Sequence, residues 1–429
     1  MSEQNKHVPR LRFPGFTDAW VKYELGKVAQ ITMGQSPDSN NYIEKPVRNS
    51  KILVQGNADL KNGWVFPRIW TTQVTKEAEP NDLIMSVRAP VGDIGKTQYS
   101  IVLGRGVAGI KGNEFLFQYL TKLKLSGYWS TVSSGSTFDS INYNDIYNVE
   151  LLLPNFEEQT KIGKFFQHLD NLITVNEREL NKLKNLKKSY LEKMFPKNGS
   201  NIPELRFSGY TDAWVKYELS ELAKFSKGRG YSKRDLVKAG YPIILYGRLY
   251  TNYETTISTV TDTFVSADLN SIKSEIGDVI VPGSGETAED ISRASTIDIS
   301  GIILGGDLNI IKPDKQVLDS IFLAITISNG SQQRELTKRA QGKSVVHLHN
   351  SDLERILVYL PSKNEQTKIG NFFTKLDKVI TVNEHKQNKR FSPAFTRISH
   401  IIKNILRKIS DMIQNKNLAE EALDRKSVV

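Results

Sequence analysis

The feature that most constrains this chain is that it is written twice. Residues 8–29 read VPRLRFPGFTDAWVKYELGKVA and residues 202–223 read IPELRFSGYTDAWVKYELSELA, with TDAWVKYEL identical at 17–25 and 211–219, an offset of 194. A second pair, LLLPNFEEQTKIGKFFQHLDNLITVNE at 151–177 and VYLPSKNEQTKIGNFFTKLDKVITVNE at 358–384, is offset by 207, so the second unit carries 13 net extra residues between its matched blocks. Two long matches in the same order mark an internal duplication, and the fold must repeat with it. The expected organisation is a globular unit over 1–156, a helix over 157–198, a second globular unit over 199–360, and a second helix with a divergent tail over 361–429.

Each globular stretch shows short apolar runs punctuated by Gly, Asn, Asp and Ser, as strands and turns do. NDLIMSV (81–87) and GDVIVPG (277–283) read as equivalent buried strands, and so do SKILVQG (50–56) and YPIILYG (241–247). From Glu157 the spacing changes: Ile162, Phe165, Phe166, Leu169, Leu172, Ile173, Leu180, Leu183, Leu186, Tyr190 and Met194 form one apolar stripe on a long helix. At ~1.5 Å per residue this helix is about 50–60 Å long. Asn176 sits mid-stripe, as a register-setting residue does in coiled coils. The repeat that starts after Pro361 is the expected partner, and the alternative is that each helix packs on its own globule. The fold class is therefore α+β, with two mixed α/β globules separated by two long, antiparallel, coiled-coil-like helices. After Glu384 the repeat fails, Pro393 should break or kink the helix, and a new stripe (Ile398, Ile401, Ile402, Ile405, Ile409, Met412, Ile413) starts in another register.

The composition narrows the classes. Hydrophobic residues make up 39% of 429, enough for packed cores, and the absence of cysteine excludes disulfides, thiolate zinc sites and a Cys nucleophile while fitting a reducing cytoplasm. The N-terminus has no secretory apolar region and no apolar run approaches the ~18 residues of a membrane span. A soluble, cytoplasmic protein without a membrane partner is expected. The net charge of +11 suggests a polyanionic partner, but +6 of it falls in residues 385–429 and residues 199–384 carry −1.

The search for catalytic chemistry mostly excludes it. Gly342-Lys343-Ser344 supplies only the end of a phosphate-binding loop, with Thr337 where the first glycine should stand. His347-x-His349 could share a strand face, yet Asp352 is the one candidate third ligand nearby, and exposed polar histidines are the plain alternative. Gly283-Ser284-Gly285 misses the Gly-x-Ser-x-Gly elbow by one position. What remains is recognition chemistry: polar, glycine-containing loops with Arg, Lys, Ser and Thr, the side chains that meet phosphates and base edges. The candidates are Arg88, Lys96, Arg105, Ser136 and Thr137 in the first globule, and Lys227, Arg229, Lys233, Arg234, Arg248, Tyr250, Lys343 and Ser344 in the second. For any one of them, a solvated basic turn is the competing reading.

PRLRFPGFTDAWVKYELG, its copy PELRFSGYTDAWVKYELS and the two LP-x3-EQTKIG-x-FF-x2-LD-x2-ITVNE blocks make nearly the whole chain resemble the specificity subunit of type I restriction-modification enzymes. The resemblance implies that each globule is a target-recognition domain reading one half of a split, asymmetric double-stranded DNA sequence through the major groove. It implies an antiparallel helical spacer that docks two adenine-methyltransferase subunits. Gln159, Ile162, Phe166, Leu169, Ile173, Leu180 and Leu183, with Gln366, Ile369, Phe373, Leu376 and Ile380, are the spacer and docking candidates. It also implies a restriction and translocase subunit, S-adenosylmethionine, ATP and Mg held by the partners, and a chain that binds no cofactor or metal and catalyses nothing itself. The tail departs from the family, which leads one to expect an ending like SYLEKMFPKNG (189–199) where Pro393 stands. A stand-alone, two-headed DNA-binding regulator predicts the same split site without a methyltransferase partner; an independent enzyme predicts methylation or cleavage by the isolated chain.

Overall fold

A computed structural model describes residues 7–133, 139–197, 200–268, 271–342 and 345–391, the last seven as helical backbone. Ser136, Thr137, Lys343, Ser344, Pro393 and the C-terminal stripe lie outside the described residues. The described chain divides into two compact units between Val175 and Asn176.

The repeated string makes a clasp in each unit. In the first, Val21–Glu24 pairs antiparallel with Glu150–Leu153, so the two ends of the globule lie side by side. In the second, Val215–Glu218 pairs with Leu357–Leu360 in the same register. The last residue of the string is the core anchor: Leu25 and Leu219 are fully buried, and their N–H groups donate to Val149 O at 2.8 Å and Ile356 O at 3.0 Å.

Between the clasp strands the two globules share a topology although their sequences differ. The main sheet of the first unit runs Ile31–Met33, Val107–Ile110, Leu83–Ser86, Ile94–Lys96, Trp64–Val65, Leu60–Lys61. That of the second runs Ala223–Lys227, Leu308–Pro313, Val279–Pro282, Ser295–Ile297, Thr256–Ile257. Each has antiparallel neighbours up to its fourth strand and a parallel pair after it. A smaller sheet repeats likewise, with Lys51–Val54 parallel to Ile101–Leu103 and Tyr241–Ile244 parallel to Ile303–Leu304. The apolar runs expected to be buried strands are these central ones: all four residues of Leu83–Ser86 and of Val279–Pro282 are buried. Trp129 and Phe322 anchor the two cores at 1% and 0% exposure, each burial worth roughly 1.5–3 kcal/mol or more.

The first long helix spans Phe156–Lys193, 38 residues, or about 57 Å. The second spans Lys363–Phe391, 29 residues. Within the second unit the end of the first helix runs antiparallel to the second. Lys184 pairs with Glu384 at 2.7 Å, Lys187 with Asp377 at 2.5 Å, and the Tyr190 and Phe372 rings meet edge-on at 5.1 Å. Each helix also packs at its start on its own globule. Ile162 lies against the first core, while Ile369 and Phe373 belong to the second. Antiparallel pairing and own-globule packing both occur, and on the second helix they interleave: Phe372 meets Tyr190 of the first helix while the adjacent Phe373 joins the core. The apolar stripe is covered unevenly: Leu180 and Ile380 are buried, Leu169, Ile173, Leu183 and Leu376 half-buried, and Phe166 is 42% exposed among the described residues.

Candidate nucleic-acid interface

The two globules build the same loop junction and plant an arginine on opposite sides of it. In the first unit Gly34 N donates to Val107 O at 2.9 Å, Gln35 N to Leu103 O at 2.8 Å, and Gly104 N to Val54 O at 2.7 Å. In the second Gly228 N donates to Leu308 O at 2.9 Å, Arg229 N to Leu304 O at 3.0 Å, and Gly305 N to Ile244 O at 3.0 Å. The backbones approach so closely that a Cβ on Gly34 would lie 2.0 Å from Gly104 O, and one on Gly228 2.0 Å from Gly305 O. This geometry aligns Gln35 with Arg229 and Arg105 with Gly306. Arg105, its N–H bonded to Ser36 Oγ at 3.0 Å, is exposed and has no carboxylate partner among the described residues. Arg229 is exposed too and lines a cavity of about 260 Å³ with Tyr231, Asp235 and Ser271.

Other candidates flank these loops. Arg88 is exposed on a turn held by Ser86 Oγ, which donates to Arg88 O and Pro90 O, and by Ile141 N, which donates to Val87 O at 3.0 Å. Lys227 ends a strand, and Lys233 and Arg234 sit on a tight turn closed by Ser232 and Asp235; all three cations are exposed. Backbone and hydroxyl hydrogen bonds from Ser232 hold the Asp235 carboxyl below its usual range.

Two sequence candidates, Lys96 and Arg248, are paired with carboxylates within the fold. Lys96 Nζ bonds Glu114 at 2.6 Å and sits over the Trp64 and Phe117 rings at 4.8 and 4.6 Å, which tethers it within the first unit. Arg248 is 6% exposed and bonds Asp262 at 3.1 Å and Glu254 at 2.9 Å. Burial opposes ionisation of Asp262, but hydrogen bonds from Asn252 and Arg248 outweigh it and hold the carboxyl below its ordinary value. Burial pushes the Tyr250 hydroxyl up, and so do Tyr246, Glu286 and Asp290.

The paired blocks of the long helices carry a lock that sequence reading missed. Arg12 grips Glu158 with Nε and Nη2 at 2.8 and 2.6 Å and donates to Asp18 O; Arg206 grips Glu365 at 2.9 and 2.7 Å and donates to Asp212 O. Both glutamates are buried. Gln159 and Gln366 belong to the same lock. Gln159 donates to Pro154 O and accepts from the N-cap Asn113; Gln366 donates to Pro361 O and accepts from the N–H of the N-cap Asp319. At 1% exposure Gln366 is an internal strut, not a free docking contact. The signal available was the recurrence of Arg and Glu in blocks far apart in sequence yet copied together.

Ser284 Oγ lies 3.0 Å from His347 Nδ1 across a two-residue strand pair, and His349 N donates to Asp352 at 2.9 Å. Among the described residues no three His, Asp or Glu are grouped to hold a metal ion, and no helix is long and apolar enough to cross a membrane.

The pattern of known proteins matches this architecture. A family model described as the type I restriction modification DNA specificity domain matches residues 17–185 and again 211–390. A putative type I restriction enzyme MjaX specificity subunit of Methanocaldococcus jannaschii is 33% identical over 180 residues, 40% of this chain and 41% of that protein. The chain thus aligns with well under half the length of that relative. The type I restriction enzyme MjaVIII specificity subunit of the same organism is 21% identical over 316 residues, 71% of each. A solved S subunit of a type I restriction-modification system from M. genitalium has the same fold, with a TM-score of 0.61 at 14% identity over 94% of this chain and 98% of that one. With the family model matched by both repeats over most of its length, the chain belongs to the type I restriction-modification DNA specificity domain family.

Proposed function

We propose that this chain is the sequence-reading subunit of a type I restriction-modification complex. Each unit reads one half of a split, asymmetric duplex target, and the long helices set the gap and seat two adenine-methyltransferase subunits. A restriction and translocase subunit joins that assembly. S-adenosylmethionine, ATP and Mg bind those partners, and this chain contributes recognition rather than catalysis, in the cytoplasm. The observation that carries the reading is the duplicated loop junction with Arg105 on one loop in the first unit and Arg229 on the other loop in the second. The same scaffold presents its donors differently, as two unlike half-sites require. An arginine reads guanine through two parallel hydrogen bonds, a contact worth about 1–3 kcal/mol of discrimination.

The test maps methylated adenines in cells with and without the chain. The expected result is loss of one split motif when it is absent. Arg105→Ala relaxes one half of that motif and Arg229→Ala the other. An unchanged methylation map overturns the reading, and sequence-specific binding without any copurifying methyltransferase favours a stand-alone regulator.

A further inference from the structure

One face of the second unit is far more basic than its copy. Strand pair Val215–Glu218/Leu357–Leu360 and helix Gly330–Arg339 enclose a cleft of about 390 Å³. Lys216, Arg334, Lys338 and Arg355 line it, all exposed and none ion-paired among the described residues. Its one lining carboxylate, Glu335, is already held by Arg339 at 3.1 Å. Four unpaired cations facing one cleft repel each other, so the cleft suits a negatively charged partner.

The first unit carries the same frame with different charges. Its Lys22, the counterpart of Lys216 in the identical string, pairs with Glu150 at 2.7 Å. Glu150 stands opposite Glu24 in the clasp register, and Leu357 stands opposite Glu218 in the copy. Arg355 likewise replaces Asn148, two positions earlier on the same strand approach. At this face the second unit therefore lacks a carboxylate that the first has and carries a guanidinium that the first lacks, on the same strand register.

We infer that this cleft holds the phosphate backbone of duplex DNA without reading sequence, and that it does so in the second unit alone. The inference rests on the recognition function proposed above. The lining favours nucleic acid over an acidic protein: besides its cations it offers Ser331 and Gln332 and one exposed large apolar side chain, Leu357. Phosphate contacts use such polar donors, whereas protein interfaces are commonly anchored by aromatic side chains and arginines packed in desolvated pockets, which exposed cations in an open cleft do not form.

The test measures binding of the full chain, by anisotropy across a salt series, to a duplex carrying the mapped target and to an unrelated duplex of equal length. Arg334→Gln/Lys338→Gln/Arg355→Gln is expected to weaken both duplexes by the same factor. It should flatten the slope of log affinity against log salt by about 2–3, with the preference for target unchanged. Leu357→Glu, which recreates the pair already present at Lys22, is expected to flatten the slope by about one. Unchanged slopes in both variants overturn the inference and leave target recognition by the wild type standing. So does a loss confined to the target duplex, or a lost protein partner with DNA binding intact. A wild type that prefers neither duplex overturns the recognition reading, while flattened slopes still support the cleft.

Discussion

Arg206 and Glu365 come from positions 159 residues apart and close a two-bonded pair with Glu365 at 1% exposure. Removing the arginine alone leaves a buried carboxylate without a counter-charge, which costs about 3–5 kcal/mol. Arg206→Met should lower the urea midpoint of the second unit sharply, and Arg206→Met/Glu365→Met should recover most of the loss. Equal destabilisation of the single and double variants would show that packing, not the charge pair, is at stake. This scale was the least legible in the sequence. Lys96 and Arg248 looked like free cations because Glu114 and Asp262 are 18 and 14 residues away, and nothing in the sequence marks Glu254, six residues from Arg248, as its second partner. Arg105 and Arg229 were visible as glycine-flanked arginines, but their opposite placement on one junction appears only when backbone hydrogen bonds align Gln35 with Arg229.

At the scale of elements the long helices carry an internal glycine at the same place. Gly163 and Gly370 let the globule's own helix start against the long one: a Cβ on Gly163 would lie 2.8 Å from Phe115 N, and one on Gly370 3.2 Å from Ile321 Cβ. Gly163→Ala gains ~1 kcal/mol of helix propensity but meets backbone, and overpacking of about 1–3 kcal/mol outweighs the gain. The melting temperature of the first unit should fall, while Gly370→Ala, whose nearest contact is 3.2 Å rather than 2.8 Å, should cost less; a rise for Gly163→Ala would refute the contact. Strands such as Leu83–Ser86 and Val279–Pro282 were legible because a strand buried on both faces is a continuous apolar run. The helices were legible from their stripe. Which stretch of stripe meets the other helix was not, because periodicity marks an apolar side and says nothing of what covers it.

At the scale of the molecule the duplication was fully legible, and it dictates how effects combine. Each unit has its own core and its own junction, so the costs of Arg105→Ala and Arg229→Ala on target affinity should add to within about 0.5 kcal/mol. A coupling beyond that, in a double-mutant cycle of duplex binding, would mean one shared reading surface instead of two. Net charge misled at this scale: the excess of +11 lies mostly in residues 385–429, and the cations that matter in the second unit are set by which local carboxylates are missing.

The clasp has a consequence for how such a chain tolerates change in length. Because Val21–Glu24 lies beside Glu150–Leu153, and Val215–Glu218 beside Leu357–Leu360 in the same register, the chain leaves each globule where it entered. Insertions and deletions between those strands are therefore absorbed locally, and the helix that follows starts from the same anchored point. The second unit already carries such a change, 13 residues of net gain between its matched blocks, with no shift in the register of its clasp. Loops between the clasp strands can lengthen or shorten, while the point from which each long helix starts stays fixed.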